Sequence, residues 1–169
     1  MRVLLAVCMI ISILLGGCDQ ESVHPGKVGF ITQFESNDKV LIGDVLYHIT
    51  RDTKIRTSDG DKLHKKDLKI GMKIQPFFEG GLAETYPGRA NAKLLRILTD
   101  ENSKQEAVMM INVIDQLRRN EDEHFLITNI KHVEEENKYI MDVKRRSNVD
   151  MGFTITVDED TYKIQFMEV

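Results

Sequence analysis

The chain has no tryptophan, three prolines and two cysteines among its 169 residues. Without tryptophan, a carbohydrate-stacking platform lacks its largest ring. No internal repeat and no low-complexity tract interrupts the sequence. No block of cations is present, and the net charge is −4, so neither the phosphate track of a nucleic acid nor an anionic surface finds a matching stripe. No nucleic-acid partner is expected. G-x-S-x-G elbows, phosphate loops, dinucleotide-binding turns and H-E-x-x-H pairs are all missing. The chain therefore reads as non-catalytic, with no cofactor and no metal.

The longest apolar run is also short. It extends from Val3 to Leu15, with Ser12 its one polar residue, behind a single cation, Arg2, and Gly16, Gly17 and Cys18 follow. A spanning helix needs about 20 apolar residues. A charged start, a short apolar core and small residues before a cut describe a secretory leader over residues 1–17. Leu15-Gly16-Gly17-Cys18 resembles the lipobox of bacterial lipoproteins. That resemblance implies thioether-linked lipid on Cys18, cleavage before it, and a place on the extracytoplasmic face of the cell membrane. Several acyl chains are needed for lasting retention, because a single myristoyl chain binds only reversibly.

With Cys8 removed and Cys18 lipidated, no thiol remains for catalysis, redox chemistry or metal ligation. Taking Arg2 from the 23 basic side chains leaves 22 against 27 acidic ones, a net −5. Roughly 150 residues remain, enough for one domain or two small ones.

Residues 18–27 are polar, contain Pro25-Gly26, and read as a flexible tether behind the lipidated cysteine. Residues 28–99 read as short strands split by turns. Gly43-Asp44 and Ser58-Asp59-Gly60 mark turns, Leu63 to Leu68 fits one helical turn, Pro76 suits an edge or bulge, and Gly80-Gly81 is expected to turn the chain. Five strands with a short helix before the fourth predict a small OB-like barrel.

Residues 100–169 change pattern. Ser103 and Glu106 fit a capping box. Ala107, Met110, Ile111, Ile114 and Leu117 recur at helical spacing as one apolar stripe. Strand alternation follows at Tyr139-Met141-Val143, Phe153-Ile155-Val157 and Tyr162-Ile164-Phe166. One helix on an antiparallel sheet makes an α+β unit, so the whole chain is mainly β with an α+β second half.

The first unit resembles the YobA-like family of bacterial lipoproteins, a domain of unknown function. The resemblance rests on Gly29-Phe30-Ile31, Asp52-Thr53-Lys54-Ile55, Leu68 to Ile74, and Glu84-Thr85-Tyr86-Pro87. It implies an OB-like barrel over residues 28–99 and no known catalytic residue.

Among polar candidates, His124 and His132 flank a strand too far apart for a metal pair and read as solvent-facing. His48 reads as a rim residue, His24 and His64 as tether and loop residues. Glu134-Glu135-Glu136 and Asp158-Glu159-Asp160 read as solvated hairpin tips, lacking EF-hand spacing. The loop from Glu84 to Arg89 joins the last barrel strands, where OB barrels often bind ligands. Tyr86 and Arg89 are accordingly the candidate ligand-binding residues, against the reading that Tyr-Pro packs and kinks the closing strand. The expected function is a lipid-anchored binding or accessory module of the cell envelope, held to the membrane through Cys18, with an envelope protein as partner. The alternative is a small envelope hydrolase, or an inhibitor of one, which a pocket of converging His and carboxylates would favour.

Overall fold

The computed structural model describes residues 22–119 and 123–167. The leader, Cys18 and the first part of the tether lie outside these residues. No helix among the described residues is long and apolar enough to cross a membrane.

The first half is the expected barrel. Its strands are β2 (Gly29–Ser36), β3 (Lys39–Ile42), β4 (Val45–Thr57), β5 (Lys73–Ala83) and β6 (Gly88–Ile97). They close in the order β2-β3-β4-β6-β5, with β5 returning to β2. The β4–β6 pairing is parallel and the other barrel pairings are antiparallel. A single 3-10 turn at Lys65–Asp67 precedes β5. This is consistent with an OB-type Greek-key barrel. Alternation aims Ile31, Val40, Tyr47, Ile49, Ile74, Leu95 and Ile97 into one core. Large and small residues face each other across it. Tyr47 pairs with Ala90 and Phe78 with Ala92, which leaves room for both rings.

Two expectations are corrected here. The segment read as a free tether contains a strand, β1 (Val23–Pro25), paired antiparallel with Phe77–Glu79 of β5. Gly26 then donates its N–H to the Pro76 carbonyl at 2.9 Å. Gly80-Gly81 does not reverse the chain. Gly80, at φ 72°, forms a bulge inside β5, where four steps from Glu79 to Ala83 oppose two on β6. The reversal comes later, at Glu84–Pro87, where the Tyr86–Pro87 peptide bond is cis.

The second half begins with α1 (Glu101–Arg118). Its N-cap is Asp100, one turn before the Ser103 that the capping box proposed. Ser103 donates both its backbone N–H and its hydroxyl to the Asp100 carboxylate, at 2.9 and 2.7 Å. A carboxylate outranks a hydroxyl here because it accepts two bonds and opposes the positive end of the helix dipole. The buried stripe is Met109, Met110, Val113, Ile114 and Leu117. Ile111, expected in it, is 42% exposed at the margin between helix and barrel.

Strands β7 (Phe125–Val133), β8 (Lys138–Arg145), β9 (Gly152–Asp158) and β10 (Ile164–Phe166) form an antiparallel sheet in the order β10-β9-β8-β7. Its apolar face, led by Phe125, Ile127, Tyr139, Met141, Val143, Ile155 and Val157, packs on the helix stripe.

The halves share side chains. Phe30 of the barrel belongs to the helix–sheet core. Leu41 and Leu46, pointing outward from β3 and β4, are buried against Leu126 of β7. Arg118 reaches the Thr32 carbonyl at 3.3 Å, Lys27 reaches the Thr128 carbonyl at 2.8 Å, and Arg146 pairs with Glu35. Part of the outer face of β3–β4, the usual ligand face of an OB barrel, is therefore covered by the chain's own second half.

Candidate binding cleft

A cleft of about 330 Å³ lies along this junction. Phe30 and Thr32 of β2 form its floor. The Gly43-Asp44 turn and Val45 form one rim, Lys27 and Val28 another, and Ile127 to Ile130 of β7 the far wall. The local chain geometry explains the opening. Gly29 crosses so close to β3 that a Cβ there would stand 3.1 Å from Ile42 Cγ2 and 3.2 Å from the Gly43 nitrogen. β7 carries a bulge between Ile127 and Asn129, which bends this strand at the wall.

The lining is mostly apolar, with a few polar groups at fixed places. The Lys73 ammonium is paired with the Glu106 carboxylate of α1 and lies 5.8 Å from the Phe30 ring centroid. The Thr32 side chain is 1% exposed, and its hydroxyl has no hydrogen-bond partner. A buried hydroxyl without a partner costs on the order of 1–3 kcal/mol. Tyr47 stands at the barrel end of the cleft, its hydroxyl pushed up to about 12 by burial and by the Asp44 carboxylate. It stays protonated and can donate across the ordinary pH range. A second cavity of about 350 Å³ lies beyond Tyr47, between Pro25-Gly26 and the Glu84–Tyr86 loop. Tyr47, Asp44, Val45 and Lys27 line both. Gly26 is required here, because a Cβ would fall 2.4 Å from the Tyr47 hydroxyl.

His132 closes one end of the first cleft. It is half-buried rather than solvent-facing: its Nε2 is 2.9 Å from Glu159 Oε2, and its ring stacks on Tyr139 at 4.2 Å. Burial, with Glu106 and Glu159 nearby, pushes the Tyr139 hydroxyl up to about 12. His124, at the other end of β7, meets Arg118 at 3.1 Å. The two histidines do not converge.

The remaining sequence candidates are dispersed. Tyr86 lines the second cavity, 40% exposed, and its hydroxyl is raised by burial and by Asp44. It is not a plug in the barrel; Tyr47 fills that place. Arg89 is on β6, paired in register with Leu46, and lines a separate pocket with His48. His48 lies 3.4 Å from Asp38, and His64 lies 3.7 Å from Asp67. Ser22 Oγ is 2.6 Å from His24 Nε2 on the exposed β1 segment. The acidic tips are turns beside one another, with Glu159 donating its N–H to the Asn137 carbonyl at 2.9 Å. No group of three His, Cys, Asp or Glu suited to a metal ion occurs among the described residues.

Phe30, Thr32, Lys73 and Glu106 were not read from the sequence as site residues; Glu106 stood there only as part of a helix cap, and Phe30 and Lys73 only as part of the family resemblance. Each looks ordinary alone, and only the packing of α1 and β7 on β2 brings them together.

No family model, no curated protein and no solved structure matches the chain.

Proposed function

We propose that the chain is a lipid-anchored, non-catalytic binding module on the extracytoplasmic face of a bacterial cell membrane, and that the junction cleft is where it takes a small, mainly apolar molecule. The leader and the lipobox-like Leu15-Gly16-Gly17-Cys18 support the address. The resemblance of residues 28–99 to YobA-like lipoproteins supports the class. One observation carries the binding reading: a largely apolar cleft of about 330 Å³ with the buried, unpartnered Thr32 hydroxyl among its lining residues. Ligand pockets have this size and character, with a few polar groups that fix orientation. The polar pairs at the cleft, Lys73–Glu106 and His132–Glu159, are internally satisfied, which favours binding over proton transfer. Tyr86, beyond Tyr47, is proposed as a contact for an envelope partner.

Two measurements test the reading. Cys18→Ser should release the protein from the membrane fraction and abolish lipid labelling; unchanged fractionation at full-length mass would end the lipoprotein assignment. Anilinonaphthalene sulfonate should bind the folded chain saturably, and Ile130→Trp, which fills the cleft, should remove that binding while the melting temperature holds. Equal dye binding by both proteins would end the cleft assignment.

A further inference from the structure

A second site lies outside both cavities, on the outer barrel face just past the cover supplied by Leu126. Strand register defines it. Lys39, His48 and Asn91 occupy one row across β3, β4 and β6, and Leu41, Leu46 and Arg89 occupy the next row. Residues two apart on a strand share a face, so both rows look outward. Neighbouring strands are about 4.8 Å apart and alternate residues about 6.6 Å apart, so the patch measures roughly 10 by 7 Å. A pocket of about 300 Å³ lies over it, with Leu46 at its apolar floor and Gly81 at its edge.

No acidic side chain lines this pocket. The nearby carboxylates are already engaged. Asp38 lies beside His48 and accepts from Ser36, and Glu35 is taken by Arg146. Beyond their strand pairings, the Lys39 ammonium and the Arg89 guanidinium have no hydrogen-bond or ion-pair partner among the described residues. Their field nevertheless reaches the site: together with the Arg146 bond, it lowers the Glu35 carboxyl. In a chain of net charge −4, two unanswered cations meet an amide donor around one hollow, while the His48 imidazole at its edge faces Asp38. A guanidinium fork recognises two oxygens of one oxyanion, and an ammonium adds a point charge. Two unanswered cations suit a doubly charged group better than a single carboxylate. Only two such cations are present, too few for the extended track of a nucleic acid.

We propose that Lys39 and Arg89, with Asn91, bind a phosphoryl group on the outer face of β3–β4–β6. This goes beyond the cleft assignment and does not depend on it.

The test uses the isotope-labelled full chain in a non-ionic detergent at low ionic strength, with inorganic phosphate as probe and chloride at matched ionic strength as control. Phosphate should shift the Asn91 side-chain amide and the Arg89 Nε–H saturably, and chloride should not. Arg89→Gln and Lys39→Gln should each weaken binding about tenfold or more, the loss of one charge-assisted contact. Lys104→Gln, an exposed position in the first turn of α1, should leave it unchanged. Melting temperatures should stay level, since all three positions are exposed. A second arm uses phosphatidylcholine vesicles with and without phosphatidylglycerol. Retention on the anionic vesicles that is lost in Arg89→Gln identifies a lipid headgroup as the source. Equal behaviour on both vesicles, with phosphate still binding, identifies a soluble phosphoryl compound. Linear, non-saturating shifts, or saturable binding unchanged in both Gln variants, would overturn the proposal.

Discussion

The ammonium of Lys144, on β8, stands 4.8 Å from the centroid of the Tyr86 ring, on the loop that closes the barrel. Two halves of the chain meet here without a buried contact, since Tyr86 is 40% exposed. A double-mutant cycle on Tyr86→Ala and Lys144→Ala should therefore return a coupling of about 0.5–1 kcal/mol. Tyr47→Ala, which empties the barrel end, should cost about 3–5 kcal/mol. Chemical denaturation of the variants separates the two tyrosines. Similar losses at Tyr86 and Tyr47 would contradict the placement.

Leu126 lies fully buried between the halves, against Leu41 and Leu46. Leu126→Ala and Leu46→Ala should each cost about 2–5 kcal/mol. Their combined effect should fall short of the sum, because both open the same space. The chain should melt in one transition, and limited proteolysis near Thr99–Asn102 should be slow. Two separated melting steps would mean the shared core does not couple the halves.

Gly71 has φ 88°, and a Cβ there would stand 2.5 Å from Ile111 Cγ1 and 2.8 Å from the Ala107 carbonyl oxygen. Gly71→Ala should destabilise by about 2 kcal/mol or more, through strain and clash together. Adding Ile111→Ala should rescue only part, since the Ala107 carbonyl stays in place. Ile111→Ala alone should cost less than Met110→Ala, expected at about 2–5 kcal/mol. Thermal melts of these four variants test the order.

Arg146 binds the Glu35 carboxylate and, with Lys39 and Arg89, holds it below its ordinary value of 4.5. A depressed carboxyl contributes stability above its unfolded value, and that contribution disappears as pH falls through the lower folded value. The loss of stability on acidification below about pH 4.5 should thus be shallower in Glu35→Gln than in the parent chain. Denaturation curves at pH 7 and at successive steps below pH 5 measure it; parallel curves would show that the pair is solvated and contributes nothing.

The barrel strands and the helix were legible because their signals are local and periodic. Tyr139, Met141 and Val143 announce a buried face by alternation, and the short apolar runs that hold Ile31 and Val40-Leu41-Ile42 announce strands between turns. The helix start was ambiguous because Asp100 and Ser103 stand three apart, as do Ser103 and Glu106, so two caps overlap. Gly80-Gly81 carries the composition of a turn, and only the longer reach of β5 along β6 makes it a bulge. β1 was unreadable: its three residues include a proline, none is buried, and its partner lies more than fifty positions away. The junction cleft was beyond sequence for the same reason. Thr32 and Ile130 are neighbours through packing alone.

On the proposed lipid anchor, that inconspicuous β1 would set how freely the domain can turn. With Val23 paired to β5, the leash between a lipid on Cys18 and the first fixed residue is five residue steps, at most about 17–18 Å when taut. A domain of this size is roughly 30 Å or more across. An anchored copy would consequently be unable to roll over. It would ride with the β1 end of the barrel, where Val23 and Leu82 are exposed, toward the headgroups, and the second cavity, which Pro25 and Leu82 line, would open on that same side.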